Sequence, residues 1–198
     1  MSPKPSKNIK LESLLEKNTL NMVFYNDSFV KAGFFAKIMS KWDAPVFYFD
    51  FDLLYSGYVT AEEIPLPKNL TILSPDSDNL FENLKSVIDK TSKTKSLIVL
   101  DSLNGFLNLL EGKSDAARLV NSFVMLLVSS AKDVKSCVIV GSLSKLNDEN
   151  EWVLYNTGRH VLENDHMTKI QLTQSADAVG NNEIVAKIPD PDNLILDF

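Results

Sequence analysis

The sequence predicts an α/β three-layer sandwich with a mostly parallel sheet and antiparallel strands at its C-terminal end. Short apolar runs typical of buried strands alternate with segments that carry apolar residues at helical spacing. The runs at 96–101 and 137–141 are almost entirely apolar, which indicates strands covered on both faces, as in a parallel sheet. The last third of the chain alternates apolar and polar residues, which favours antiparallel pairing.

Five strands and four helices are predicted between residues 9 and 141. The predicted strands are Met22–Tyr25, Pro45–Phe51, Leu70–Leu73, Ser96–Asp101 and Cys137–Gly141. Apolar residues at helical spacing predict helices at 9–17, 34–42, 80–88 and 116–128. The third of these helices is expected to take its N-cap oxygens from Asp76 and Ser77, and the fourth to be well buried.

The C-terminal third is predicted to hold a hairpin and one more strand. The segments 159–164 and 167–174 alternate around a turn at Asn164-Asp165-His166, and 183–188 follows as a short strand. We expect a flexible leader with a short helix at 1–20, a single domain at 21–188 and an acidic tail at 189–198.

Composition excludes several classes of function. The net charge of -6 and the pI near 5.0 argue against broad affinity for nucleic acid. Nucleic acid is therefore expected to bind, if at all, only through a local basic patch or an assembled ring. One cysteine, Cys137, and two histidines cannot build a disulfide framework or a metal cluster, and Cys137 is predicted to be a small core residue. This cysteine usage makes a cytoplasmic protein the default expectation, and since no apolar run reaches the roughly 18 residues of a membrane span, no membrane contact is expected.

Three segments at strand ends carry the residue types of a nucleotide site. In "VLDSLNGF" Asp101 ends an apolar strand and Ser102 follows it. In "VIVGSLS" Ser142 lies at the tip of the next strand, and in "FYFDFD" Asp50 lies near the end of the second. Over 21–174 this order resembles the RecA-like ATPases, in particular the KaiC-like group of the P-loop NTPase fold. The resemblance implies that Asp101 lies on the side of the site that holds the metal ion, and that Asp50 lies near the position of the carboxylate that activates water.

The phosphate-binding loop itself departs from that pattern. A working loop has the form G-x-x-x-x-G-K-[ST], because the glycines let backbone N–H groups converge on phosphate and the hydroxyl binds Mg²⁺. If Lys31 is the lysine, Tyr25 and Val30 replace the two glycines and Ala32 replaces the hydroxyl residue. Oxygens at 26–28 are also placed to cap the helix internally, with Asp27 adding negative charge. We therefore expect no ordinary ATP binding, no catalytic residue, no cofactor and no metal.

Two functions follow from this pattern. The first is a catalytically inactive RecA-like domain, a pseudo-ATPase, that acts through homo- or hetero-oligomeric assembly. In size, order of elements and missing motif the chain is similar to the RecA-like accessory subunits of the Elongator complex, which form a ring. The alternative is a divergent nucleotide-binding ATPase or nucleotide sensor, with cofactor contacts from Lys31, Asp50, Asp101, Ser102 and Ser142. A small regulatory module unrelated to either is a third possibility.

Each candidate residue also has a structural interpretation. Asp101 is expected to cap the turn that follows it, Asp50 and Asp52 to form a solvated strand end, and Lys31 and Arg118 to lie at the surface. The two histidines are far in sequence from any candidate nucleophile, so a catalytic triad is unsupported.

An interface is predicted beside the degenerate loop. Phe29 and Val30 are apolar where an exposed turn would be polar, and Leu54, Tyr55 and Tyr58 follow the second strand. Clustered apolar and aromatic groups at a surface mark interaction sites. The alternative is that these side chains fold inward onto the same domain.

Overall fold

The computed structural model describes residues 9–148, 152–154, 166–176, 182–188 and 194–197. The helices are α1 Leu11–Leu15, α2 Ser28–Lys41, α3 Leu54–Thr60, α4 Leu80–Thr91, α5 Leu103–Leu109 and α6 Ala116–Lys132. The first five strands are β1 Ile9–Lys10, β2 Leu20–Tyr25, β3 Val46–Asp50, β4 Leu70–Leu73 and β5 Leu97–Asp101. The last five are β6 Cys137–Leu146, β7 Trp152–Leu154, β8 Met167–Ala176, β9 Asn182–Ile188 and β10 Leu194–Asp197.

The strands form one mixed sheet in the order β1-β10-β9-β8-β2-β6-β5-β3-β4, with β7 paired to β6 outside that path. From β8 to β4 every neighbouring pair is parallel, whereas β9 runs antiparallel to both β8 and β10. This confirms the predicted α/β sandwich with antiparallel strands at the C-terminal end. The segment 159–164 and most of the predicted hairpin turn lie outside the described residues; the described partners of β8 are β2 and β9.

Two apolar clusters cover the two faces of the sheet. Successive side chains of a strand point to opposite faces, so Phe24 of β2 belongs to one cluster while Val23 and Tyr25 belong to the other. The first cluster includes the buried faces of α4, α5 and α6, and the second includes those of α1, α2 and α3. The carboxyl ends of the parallel strands therefore meet at one edge between two helical layers.

The longest helix, α6, has 17 residues and buries only one stripe, which includes Val120, Phe123 and Leu127. Met125 is 55% exposed and Leu126 is 49% exposed, so the prediction of a well-buried helix is wrong for its outer face. No helix within the described ranges has the length and apolar character needed to cross a membrane.

The turn before α4 differs from the predicted cap. One carboxylate oxygen of Asp76 accepts from the N–H groups of Asp78 and Asn79, at 2.9 Å each, and so closes a turn. The helix begins later, at Leu80, and Asn79 at its N-cap position makes no capping hydrogen bond with its side chain. Asp76 therefore orders the entry to the helix without capping it.

Elements outside 21–188 take part in the same sheet. Strand β1 pairs in parallel with β10, and α1 buries Leu11, Leu14 and Leu15 in the second cluster. The division at 20/21 and 188/189 stays a prediction, and these contacts tie both flanking segments to the sheet.

Candidate functional site

The turn between β2 and α2 is short and internally capped. Only Asn26 and Asp27 separate the last strand residue from Ser28, the first residue of the helix. One carboxylate oxygen of Asp27 accepts from the N–H of Phe29 at 2.8 Å and from the N–H of Val30 at 3.0 Å. The predicted internal cap is thus present, and these two helix-start N–H groups are taken up by the protein itself.

Lys31 is buried, so its interpretation as a surface lysine is wrong. Its side chain is 1% exposed, and its ammonium nitrogen lies 2.7 Å from Asp101 Oδ1 and 3.8 Å from Asp52 Oδ2. The nitrogen also lies 5.1 Å from the centre of the Tyr25 ring, within cation–π range. At 2.7 Å the contact with Asp101 is a close ion pair, although its angles fall outside those of a regular hydrogen bond.

Asp101 is the internal partner of this lysine and does not cap the following turn. It is fully buried, and the Tyr48 hydroxyl donates a hydrogen bond to its second carboxylate oxygen. The capping residue is Ser102, whose hydroxyl oxygen accepts from the Gly105 N–H at 3.2 Å, after a cis peptide bond between Asp101 and Ser102.

Burial sets the protonation of the groups around Lys31. It raises the pKa of Asp101, while the close positive charge of Lys31 and the hydrogen bond from Tyr48 act in the opposite direction. Burial also raises the pKa of Tyr25 and of Tyr48 well above the usual range, and the charge of Asp101 adds to both shifts. Both phenols therefore stay protonated at neutral pH, which lets Tyr48 donate to the carboxylate.

Asp50 and Asp52 have different surroundings. Asp50 is fully buried, and its Oδ2 accepts from the Ser56 N–H at 2.7 Å, so the expectation of a solvated strand end is wrong for this residue. Its Oδ1 and the Tyr55 hydroxyl have no hydrogen-bond partner among the described residues. Asp52 is about one-third exposed and accepts from the Ser102 hydroxyl at 2.7 Å. The two carboxylates therefore do not form a shared site.

Ser142 is buried in β6, and its hydroxyl lies 2.5 Å from that of Ser144. Nearby, the side-chain amide of Asn104 exchanges two hydrogen bonds with the backbone of Leu143, at 2.9 and 3.2 Å. These contacts fasten α5 to the carboxyl end of β6.

A cavity of about 360 Å³ lies at this edge of the sheet. Its polar lining includes Tyr25, Ser28, Asp52, Ser102 and Asn104. The buried ion pair is not part of that lining, since the ammonium of Lys31 faces the protein interior. The cavity therefore presents a carboxylate, and not the lysine, to solvent.

The other predicted site residues divide between surface and core. Phe29 is 66% exposed and meets Tyr58 edge-on, with ring centres 6.1 Å apart. Leu54 and Tyr58 are partly buried, whereas Val30 and Tyr55 are buried in the second apolar cluster. The interface prediction can therefore apply only to Phe29, Leu54 and Tyr58.

Arg118 lies at the surface as predicted, 80% exposed and 2.9 Å from Asp115. Cys137 is buried, also as predicted. Among the described residues no three histidine, cysteine or acidic side chains form a group able to hold a metal, and His160 lies outside those residues.

Sequence reasoning missed Tyr48 and the inward direction of Lys31. Lys31, Phe35 and Ile38 follow one another at spacings of four and three residues, so the lysine lies on the apolar stripe of α2. A single charged residue on such a stripe needs a buried partner, and Asp101 at the end of a buried strand was the available one. A lysine on an apolar helical stripe, together with an aspartate at the end of a buried strand, was the sequence signal that could have predicted this ion pair.

The fold is RecA-like. The chain is similar to the RadB recombinase, with a TM-score of 0.56 and 14% sequence identity, over 97% of this chain and 98% of that one. It is also similar to a KaiC-like protein from the hyperthermophilic archaeon Pyrococcus horikoshii, with a TM-score of 0.52 and 14% identity, over 96% and 91% of the two chains. No family model and no curated protein matches the sequence. The likeness confirms the predicted RecA-like, KaiC-like architecture.

Proposed function

We propose that this chain is a RecA-like domain that does not use ATP and that acts through homo- or hetero-oligomeric assembly. The observation that carries the proposal is the short capped turn between β2 and α2. A phosphate site needs several backbone N–H groups that converge on one point. Here two of them donate to Asp27, and its carboxylate occupies the place where a phosphate would approach the helix.

The state of Lys31 supports the same proposal. A lysine that binds phosphate must present its ammonium to the ligand, whereas this one is buried against Asp101. Moving the ammonium of Lys31 out to a ligand would leave the Asp101 carboxylate in the core without its opposite charge, which costs free energy. The ion pair therefore leaves neither the Lys31 ammonium nor the Asp101 carboxylate free to contact a nucleotide phosphate or its metal ion.

Charge at the carboxyl edge of the sheet also opposes a nucleotide. The loops that directly follow β2, β3 and β4, at 26–27, 51–53 and 74–79, contain four aspartates and no lysine or arginine. A polyphosphate would add several negative charges beside them, and unscreened like charges within a Debye length repel.

Thermal unfolding in the presence and absence of Mg-ATP tests the proposal. A ligand at about 100 times its Kd stabilises the folded state by roughly 2.7 kcal/mol, which is a large change for a domain of this size. We expect no upward shift of Tm at millimolar Mg-ATP. A matched titration with Mg²⁺ alone removes any effect of the cation.

The divergent nucleotide-binding alternative makes the opposite prediction. It requires a clear rise in Tm with Mg-ATP that disappears in Lys31→Met. Such a result would overturn the inactive-domain proposal, and it would require Lys31 to leave Asp101 on binding.

The assembly part rests on the resemblance to ring-forming Elongator accessory subunits and on the exposed Phe29 beside Tyr58. A cytoplasmic setting is part of the same proposal. Sedimentation of Phe29→Asp against the wild type tests the assembly part of the proposal, because this change alters an exposed side chain and leaves the buried Tyr55 in place.

A further inference from the structure

The amino end of the sheet carries a basic rim. The loops that lead into β2, β5 and β6 lie side by side, because these strands are neighbours in the order β2-β6-β5. The segments 16–19, 89–96 and 132–136 together contain six lysines and three carboxylates, all exposed. One of the lysines, Lys95, is engaged with Glu16 at 2.6 Å. In a chain of net charge -6, this edge is positive.

A groove of about 690 Å³ opens beside this rim. Its walls include Pro45 and the Phe47 ring, with Lys85, Lys90 and Lys93 around it, and Glu82 and Asp89 also line it. The ammonium of Lys90 lies 5.5 Å from the centre of the Phe47 ring. The groove therefore combines an apolar floor with a surplus of positive charge, which suits an apolar side chain flanked by carboxylates.

The opposite end of the same molecule presents that combination. Phe29 is 66% exposed in the first turn of α2, two residues after Asp27, and Leu53 is 59% exposed directly after Asp52. The two ends are separated by the length of the parallel strands, about 17 Å for five residues. The domain is thus electrically polarised along its strands, with apolar groups at both ends.

We propose that a second copy of this chain docks head to tail, with the acidic edge around Phe29 and Leu53 seated on the groove at Phe47 and its lysines. This inference rests on the proposed assembly function and names the surfaces through which copies would meet. Since the two surfaces differ, the contact is heterologous, and each added copy leaves one free edge of each kind.

Charge favours a second copy over nucleic acid as the occupant. Nucleic acid would have to approach a chain that is acidic overall and whose opposite edge repels it. The rim carries interspersed carboxylates at Glu16, Asp89 and Asp133, which suit a partner of mixed charge better than a continuous polyanion.

Two variants, each with one of the two proposed surfaces disrupted, test the proposal. Lys90→Glu with Lys93→Glu damages only the basic groove, and Phe29→Asp damages only the acidic edge. By sedimentation velocity at low ionic strength, the wild type is expected to form oligomers that dissociate in high salt, and each variant alone is expected to be monomeric. An equimolar mixture of the two is expected to form a one-to-one dimer, because one intact surface of each kind remains.

A matched control carries the same charge change elsewhere. Lys113→Glu with Arg118→Glu alters two exposed groups near the acidic end and is expected to assemble at least as well as the wild type. A monomeric mixture, a monomeric wild type, or a groove variant that assembles like the wild type would each overturn the head-to-tail contact. If the groove variant still assembles, only the head-to-tail contact is rejected and the proposed assembly function is retained. A Tm shift with Mg-ATP would overturn only the inactive-domain proposal.

Discussion

Three groups surround the buried ammonium of Lys31. Asp101 supplies the close opposite charge, Asp52 lies 3.8 Å away, and the face of the Tyr25 ring adds a weaker attraction. A buried ion pair gains little over an apolar pair, but removing one partner leaves an uncompensated charge in the core. Each residue of the pair therefore depends on the other for its burial in the folded domain.

Single and double substitutions of the pair test that dependence. Asp101→Asn is expected to lower the free energy of unfolding by about 3–5 kcal/mol, because the ammonium stays buried without its close partner. Lys31→Met is expected to cost less, about 1–3 kcal/mol, since Asp101 still accepts from Tyr48 and can take up a proton. The double variant is expected to cost less than the sum of the two, as measured by urea unfolding.

The exposed pair of Lys95 and Glu16 is the matched control. Both side chains are nearly half exposed, so Lys95→Met is expected to change the free energy of unfolding by less than about 1 kcal/mol. Equal losses for Lys95→Met and Asp101→Asn, or strict additivity in the double variant, would contradict the role assigned to the buried pair.

Among the elements, α5 passes close to the segment that follows β3. Gly105 lies over the residues that follow β3, where an added Cβ would fall 2.1 Å from Asp52 Oδ1 and 3.0 Å from the Phe51 Cβ. Asp52 cannot swing away freely, because the Ser102 hydroxyl donates to it and Lys31 lies close by. The glycine is therefore required by a close approach of two segments.

Two glycine substitutions separate this requirement from general helix propensity. Gly105→Ala is expected to destabilise the fold by about 1–3 kcal/mol through overpacking. Gly57→Ala in α3, where nothing lies within 4 Å of the added Cβ, is expected to stabilise it by about 0.5–1 kcal/mol. Chemical denaturation of both variants decides the point, and a Gly105→Ala protein as stable as Gly57→Ala would disprove the close approach.

Most strands and the longer helices could be predicted from the sequence, whereas the short helices α3 and α5 could not. Strand β5 and the first half of β6 are mostly apolar, and α2, α4 and α6 run long enough for a helical period to be visible. Helices α3 and α5 have seven residues each, too few to show a period. For the site, the degenerate loop and its cap were visible, but the pairing of Lys31 with Asp101 depends on two segments that meet only in the folded sheet.

At the scale of the whole molecule, protection from solvent is centred on β2, β6 and β5. Every described residue of β2 and β5 is buried, because helices cover both faces and strands flank both sides. Strand β4 ends the sheet on one side, and its residues are partly buried or, at Thr71, exposed.

Native-state hydrogen exchange is expected to follow this arrangement. Amides of β2, β5 and β6 should exchange most slowly, through global unfolding, and those of β4 faster, through local opening. Exchange measured residue by residue by NMR checks the order. Protection of β4 equal to that of β5 would contradict a stability gradient across the sheet.

The position of β2 has a consequence for biosynthesis. Its two neighbours in the sheet come much later in the chain: Asn21 donates from its side chain to the Val138 carbonyl 117 residues on, and Asn18 donates to Thr168 150 residues on. At about 5–20 residues per second, roughly 6–23 s separate the emergence of β2 from that of β6 during translation. For that interval an apolar strand has no partner on either side. The nascent chain therefore depends on α2, and on whatever the ribosome and chaperones provide, to shield its first central strand.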